Sequence, residues 1–281
     1  MGKMISINIF RRDGVLIAGL SAAALILAAA CSSGGGPAGG GGPAGPSLTP
    51  RHVLLAAATQ ARQMTSFTEM LTTQIGGIQG ERLTGTIVAQ LKPTLRLAAN
   101  LRLAAAGKSR HVKMILTGTA LYLSTAELSR PLGKPWVKID LYALKGPAGA
   151  SLAPLVRSLQ SSNFSDQAEL LKLAKNARVV GTQTVGGVPT TEYACTLNAA
   201  EGRKTLPAGV REALAPELRA LGNSTIRFHV WIDRQDRMRK VTEIVTVDGL
   251  TVHTTVTITA LNKPVHITLP PASQTATRPG G

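Results

Sequence analysis

The sequence predicts an α+β fold in which helices group on one face of a strongly curved antiparallel sheet. Three observations carry that expectation. Apolar and polar residues alternate along many short segments, helical spacing returns in only a few places, and the regular βαβ succession of a parallel sheet is absent. After the first fifty residues no further linker interrupts the chain, so the remaining about 230 residues are expected to form one domain.

Thr49-Pro50 reads as a helix start, a capping hydroxyl before a proline at the first helical position. Val53, Leu54, Ala57, Ala58, Ala61 and Met64 then recur at helical spacing. The period changes to two where Leu83, Gly85, Ile87, Ala89 and Leu91 alternate with Arg82, Thr84, Thr86, Val88 and Gln90. Leu95, Leu97, Ala99, Leu101 and Leu103 alternate in the same way, and Lys92-Pro93-Thr94 between the two runs makes them an antiparallel hairpin. Further strands are expected at 112–116, 121–124 and 136–139. Residues 152–175 return to helical spacing, with Ser165-Asp166 able to cap the second of two short helices. Strands over 179–185 and 190–197 meet at Gly186-Gly187, and a helix over 208–221 follows Pro207. Ile226, Phe228, Val230 and Ile232 form one alternating strand and Val252, Thr254, Val256 and Ile258 another, with Asp233 and Asp236 flanking a hairpin turn. Pro270-Pro271 and the polar tail over 271–281 are expected to end the sheet.

The first thirty residues carry positive charge at Lys3, Arg11 and Arg12, an apolar stretch over 15–27, and Ala28-Ala29-Ala30 before Cys31, the plan of an export signal. The apolar stretch is short for a membrane span. A cysteine placed directly after the small residues resembles the bacterial lipobox, in which the thiol takes a diacylglycerol and becomes the new amino terminus. Leu27 stands one place further from the cysteine than the usual leucine, with Ala28 in its position. Arg11-Arg12 raises twin-arginine export, but Asp13-Gly14-Val15-Leu16 fits that motif poorly, so the pair reads as ordinary charge of the signal. Residues 31–50 are nearly all Gly, Pro, Ala and Ser after the cysteine, a tether that spans on the order of 25 Å. The expected organisation is a signal over 1–30, a tether over 31–50 with lipidated Cys31, a domain over 51–270 and a tail, lipid-anchored on the outer face of the cytoplasmic membrane.

Removing the signal leaves 28 basic and 14 acidic residues, a net charge of +14. Nucleic acid does not fit, because the cations are scattered and only nine aromatic residues exist for stacking. Two explanations of the charge stand: attraction to anionic phospholipid headgroups, or general solubility. Cys195 is the sole remaining cysteine, so no disulfide forms within the mature chain, and it reads as a small buried apolar residue rather than a reactive thiol. His52, His111, His229, His253 and His266 lie on separate elements without metal-ligand spacing. No nucleophile elbow, phosphate loop or zinc signature occurs, and Asp233 and Asp236 supply too few carboxylates for calcium. Neither an enzyme nor a metal or other cofactor is expected, beyond the diacylglycerol on Cys31.

Four stretches carry a family resemblance: Leu121-Tyr122-Leu123, residues 133–140 (GKPWVKID), residues 181–193 (GTQTVGGVPTTEY) and residues 230–241 (VWIDRQDRMRKV). They resemble the LppX/LprG lipoproteins of actinobacteria, of the LolA/LolB-like superfamily, over roughly residues 50 to 269. The resemblance implies a half-barrel sheet wrapped over a few helices, enclosing an apolar cavity that carries acylated lipid or glycolipid across the envelope. It also implies a transporter in the membrane as a possible partner. Ile87, Leu95, Leu97, Leu101, Leu103, Val230 and Ile232 are the candidates to line that cavity, and plain core is the competing reading for the leucines. A loop over 141–151, bearing Tyr142 and Leu144, is the candidate cover for its mouth. A sensory or structural envelope protein that uses the same scaffold to bind a protein or peptide is the alternative function.

Overall fold

The structure, a computed structural model, describes residues 49–278 apart from 62, 77–80, 142–173, 207, 209–210, 212–214 and 248. The expected signal, Cys31, the expected tether up to residue 48, the loop expected beyond Leu141 and the helices expected over 152–173 lie outside the described residues.

Helix α1 (Pro50–Ala61) starts where a hydroxyl-proline pair dictates. The Thr49 carbonyl accepts from the Val53 amide at 3.2 Å and its hydroxyl from the His52 amide at 3.4 Å. Leu54, Ala57, Ala58 and Ala61 form its buried stripe.

The strands are β1 (Ser66–Gly76), β2 (Arg82–Gln90), β3 (Arg96–Ala105), β4 (Lys108–Thr117), β5 (Ala120–Ser124), β6 (Trp136–Asp140), β7 (Lys175–Val185), β8 (Val188–Asn198), β9 (Thr225–Asp233), β10 (Met238–Val247), β11 (Leu250–Leu261) and β12 (Thr275–Arg278). Short helices α2 (Ala126–Leu132), α3 (Ala199–Thr205) and α4 (Ala215–Ala220) punctuate them. All twelve strands share one sheet in the order β12-β6-β5-β4-β3-β2-β1-β11-β10-β9-β8-β7. The first six strands descend as one antiparallel meander and β7 to β11 as a second, and pairing of β1 with β11 joins them. The sheet is large, curved and unclosed, with β12 and β7 at its two edges.

Gly85 and the Gly186-Gly187 turn show what the backbone demands of sequence here. A Cβ on Gly85 would stand 2.3 Å from the Asn100 carbonyl oxygen, so β2 approaches β3 only because that position lacks one. Gly186 and Gly187 take φ of 56° and 79°, the pair of positive values that a two-residue hairpin needs.

The structure departs from the sequence-based expectation in six places. Strands β1 and β10 stand where no alternation was read, because Glu69, Thr73 and Glu243 occupy inward positions and interrupt the apolar pattern. Helices α2 and α3 were also unread. Each is seven residues long, too short to show periodicity, and each is announced by its cap, Thr125 accepting from the Leu128 amide and Asn198 from the Glu201 amide. The helical spacing read up to residue 175 overruns the structure, since Lys175 already opens β7. Beyond Pro271 the tail does not end the sheet: Thr275–Arg278 pairs in parallel with Trp136–Ile139 on β6. Two threonines suffice for that short edge strand.

Candidate functional site

Residues directly opposite in an antiparallel pair share a face, so the register defines the wall on which the helices pack. One inward row runs Ile258, Glu69, Ile87, Ala99, Met114, Leu123 and Val137 from β11 to β6. A parallel row runs Phe67, Ala89, Leu97, Leu116, Leu121 and Ile139. A third runs Val256, Leu71, Gly85, Leu101 and Val112.

Along this wall the packing changes. On β1, β2 and β8 to β11 the inward side chains form a filled core with Leu54, Ala57 and Ala61 of α1, Leu206, and Leu218 of α4. Val230, Ile232 and Ile87 sit in it, the first two almost without exposure. At the far side, Leu116, Leu121, Leu128, Val137, Ile139 and Leu141 make a second, smaller core against α2. Between them lies a band of half-buried side chains: Leu95, Leu97, Leu101, Leu103, Val112 and Met114. Leu97 and Met114 touch both cores, Leu101 and Leu103 pack against the larger and Leu95 against the smaller. The seven candidate lining residues thus fall into two groups, three in the filled core and four leucines in the band beside it.

Two groups that sequence reading missed face the same interior. Glu69 and Glu243 are both buried, and among the described residues neither carboxyl has a hydrogen-bonding partner. Burial pushes each up to about 8. Glu243 lies opposite Thr254, which lies opposite Thr73, and the two hydroxyls meet at 3.2 Å. The only sequence signal for these residues was negative, an acidic side chain at the inward phase of a strand.

Elsewhere the buried Trp231 Nε1 also has no hydrogen-bonding partner among the described residues, whereas Asp233 is fully partnered. Asp233, with its side chain 1% exposed, accepts from the Gln235 and Arg237 amides and pairs with Arg237 at 2.9 Å and Arg239 at 2.7 Å. Burial opposes ionisation there, but those hydrogen bonds outweigh it and hold the carboxyl below its usual value. His229 shares its Nδ1 with Glu192 at 2.6 Å on the outer face, where Lys240 lies 4.2 Å from the Trp231 ring centroid. His52, His111, His253 and His266 are exposed, and no cluster suited to a metal ion occurs among the described residues. Burial pushes the Cys195 thiol up to about 11, which leaves it unreactive at neutral pH.

One basic groove opens beside this wall, between the tip of the β3–β4 hairpin and α2. Lys108, Arg110, His111, Lys113 and Arg130 line it, with Glu127 paired to Arg110 at 3.4 Å.

Comparison with solved structures agrees with this architecture. LprF of Mycobacterium bovis superposes with a TM-score of 0.50 at 12% identity, covering 80% of this chain and 98% of that one. The fold is that of the LppX/LprG-type lipoproteins. LppX of Mycobacterium tuberculosis aligns over 78% of this chain and 98% of its own, with a TM-score of 0.47 at 14% identity. No family model matches the sequence. An uncharacterised 31.2 kDa protein of Streptomyces griseus is 28% identical over 114 residues, so the match spans 40% of this chain and only 37% of that relative's length.

Proposed function

We propose that this chain is a membrane-anchored lipoprotein that binds an acylated lipid or glycolipid on the inner face of its LppX/LprG-type sheet and helps carry it across the cell envelope. The observation that carries the reading is the band of half-buried Leu95, Leu97, Leu101, Leu103 and Met114 between two packed cores. Apolar side chains left half-covered inside a curved sheet are a wall with room against it. A carrier needs such a wall, because each methylene exposed to water costs about 0.8 kcal/mol. Transfer from a bilayer then exchanges hydrocarbon for hydrocarbon and is close to neutral, so direction comes from donor and acceptor. Cys31, after its run of alanines, supplies the attachment point for the diacylglycerol anchor on the outer face of the cytoplasmic membrane.

Native mass spectrometry of the full mature protein released from detergent tests this. The expected spectrum carries the covalent acyl group and, in addition, one noncovalent acylated lipid per chain. A clean mass that persists when acyl lipids are offered would replace the carrier with the peptide- or protein-binding alternative. Leu97→Phe or Leu101→Trp, on the half-buried band, is expected to lower lipid occupancy severalfold while thermal unfolding stays cooperative. Unchanged occupancy would move the ligand away from this band.

A further inference from the structure

The half-buried band runs directly into the basic groove. Every second residue of a strand shares a face, and Arg110 lies opposite Leu103 as Val112 lies opposite Leu101. Arg110 therefore stands on the inner face, about 7 Å along β4 from Val112, and Lys108, opposite Ala105, follows it on that face. Beyond Lys113 the strand pairs on one side only, because β5 ends with Ser124 opposite Lys113. The groove fills the gap between that free edge and α2, with a volume of about 690 Å³, within the range of small-ligand sites. Four permanent cations, Lys108, Arg110, Lys113 and Arg130, line it beside one carboxylate, Glu127. Glu127 pairs with Arg110, whereas Lys108, Lys113 and Arg130 are exposed and make no ion pair among the described residues. Charge kept for solubility is best spread out. Gathered in one groove, these cations repel one another, and an anion seated among them relieves that repulsion.

We propose that this groove is the headgroup subsite of the ligand wall and that it takes a phosphate. The acyl chains of one lipid lie along Leu97, Leu101 and Met114, and its phosphate sits among Lys108, Arg110 and Arg130. The assignment rests on the lipid-binding reading and deepens it, from an acylated lipid of any kind to one with an anionic, phosphorylated headgroup. Arg110 meets Glu127 through its Nε at 3.4 Å, which leaves the terminal N–H groups of the guanidinium for phosphate oxygens. The step of about 7 Å from Arg110 to Val112 matches the reach of a glycerol unit between a phosphate and the chains it carries. An uncharged sugar headgroup gains nothing from the excess positive charge, and a headgroup with a free amine is repelled by it.

The test is a competition between dipalmitoylphosphatidylglycerol and monogalactosyl dipalmitoylglycerol, which share their acyl chains and differ in the phosphate. Both are offered at equal concentration in micelles of a non-ionic detergent, so that attraction to an anionic bilayer does not enter. Native mass spectrometry of the full-length protein reads the bound fraction of each at neutral pH. We expect the wild type to favour the phospholipid about tenfold, the order that two exposed cations near one anion supply. In Lys108→Gln/Arg130→Gln that preference should fall below about twofold, while uptake of the galactolipid stays as it was. Both side chains are exposed and unpaired, so folding is expected to survive, and a thermal melt verifies it. Lys108→Arg/Arg130→Lys should keep the preference, as should Lys204→Gln/Lys263→Gln, which removes two exposed cations outside the groove. Equal loading of the two lipids in the wild type overturns the subsite and leaves the lipid-binding reading intact. An equal fall in the Lys204/Lys263 variant overturns it too, in favour of net charge. Glycerol phosphate offered alone separates the two sources of a phosphate: it is expected to bind far more weakly than the phospholipid, and a one-to-one complex of equal affinity overturns the headgroup assignment in favour of a free phosphate ligand. Failure of the wild type to take up either lipid overturns the lipid-binding reading together with the subsite that rests on it.

Discussion

A carboxyl group held in an apolar interior without a partner keeps its proton past the pH at which the unfolded chain releases it, and Glu69 and Glu243, pushed up to about 8, both do so. The consequence is a stability that declines with pH. Below about 4.5 both the folded and unfolded forms are protonated and nothing is lost. Between about 4.5 and about 8 the unfolded chain binds fewer protons than the folded one, so stability falls as pH rises, and above about 8 the loss is complete. Thermal unfolding of the wild type followed from pH 5 to 9 is therefore expected to show a falling midpoint, and Glu69→Leu/Glu243→Leu a flatter one. A midpoint independent of pH in the wild type would mean that these carboxyls ionise freely. Asp233 runs the other way, since its hydrogen bonds favour the charged form and its contribution is lost as pH falls below the usual aspartate range. Among the candidate lining residues the alternation was legible because leucine at every second position leaves one phase to read. Sequence does not say how much of each leucine stays covered, because that depends on which residues of other strands and helices stand opposite, which is why Val230 and Leu101 looked alike and differ in burial.

The integrity of the β9–β10 hairpin depends on the side chain of Asp233. Asp233 closes its turn, holding two amides and two guanidinium groups from Gln235 to Arg239. Asp233→Ala is expected to destabilise the protein by roughly 3 kcal/mol, since it strands Arg239, whose side chain is only 14% exposed, without its partner. Chemical denaturation measures this, and a loss under about 1 kcal/mol would show that Arg239 finds water instead. The hairpin was legible in sequence as a turn between Asp233 and Asp236, whereas β10 itself was not. Val241 and Val245 announce its inward phase, but Glu243 stands between them, and β1 is masked in the same way by Glu69 and Thr73. The strands that sequence pattern lost are those that carry the buried carboxyls, because an acidic residue at an inward position breaks the pattern by which packing is read. The edge strand β12 was lost for another reason: its partner is β6, more than a hundred residues away, and local propensity holds no record of that pairing.

Two meanders joined at β1 and β11 give a molecule with an apolar inner wall and a net positive charge, and attraction to a membrane is one of the two explanations of that charge. Without residues 1–30 the chain carries a net charge of +14, and the groove beside α2 concentrates Lys108, Lys113 and Arg130 near the half-buried band. Each basic side chain close to an anionic surface contributes about 1 kcal/mol, an attraction that dies away within a Debye length. If the groove faces the bilayer, it brings the wall to the lipid it loads. The mature chain with Cys31→Ser, which lacks the acyl anchor, is then expected to bind vesicles containing phosphatidylglycerol and to leave vesicles of phosphatidylcholine alone. Raising salt from about 0.05 M to about 0.5 M, where the Debye length shrinks severalfold, should weaken that binding at least tenfold. Replacing Lys108, Lys113 and Arg130 by serine should weaken it by a further factor of about ten or more at low salt, because three contributions of the order given above are removed. Cosedimentation of protein with vesicles reads both effects. Binding that tolerates salt, or that the triple variant retains in full, would assign the charge to solubility and place the membrane-facing surface elsewhere on the sheet.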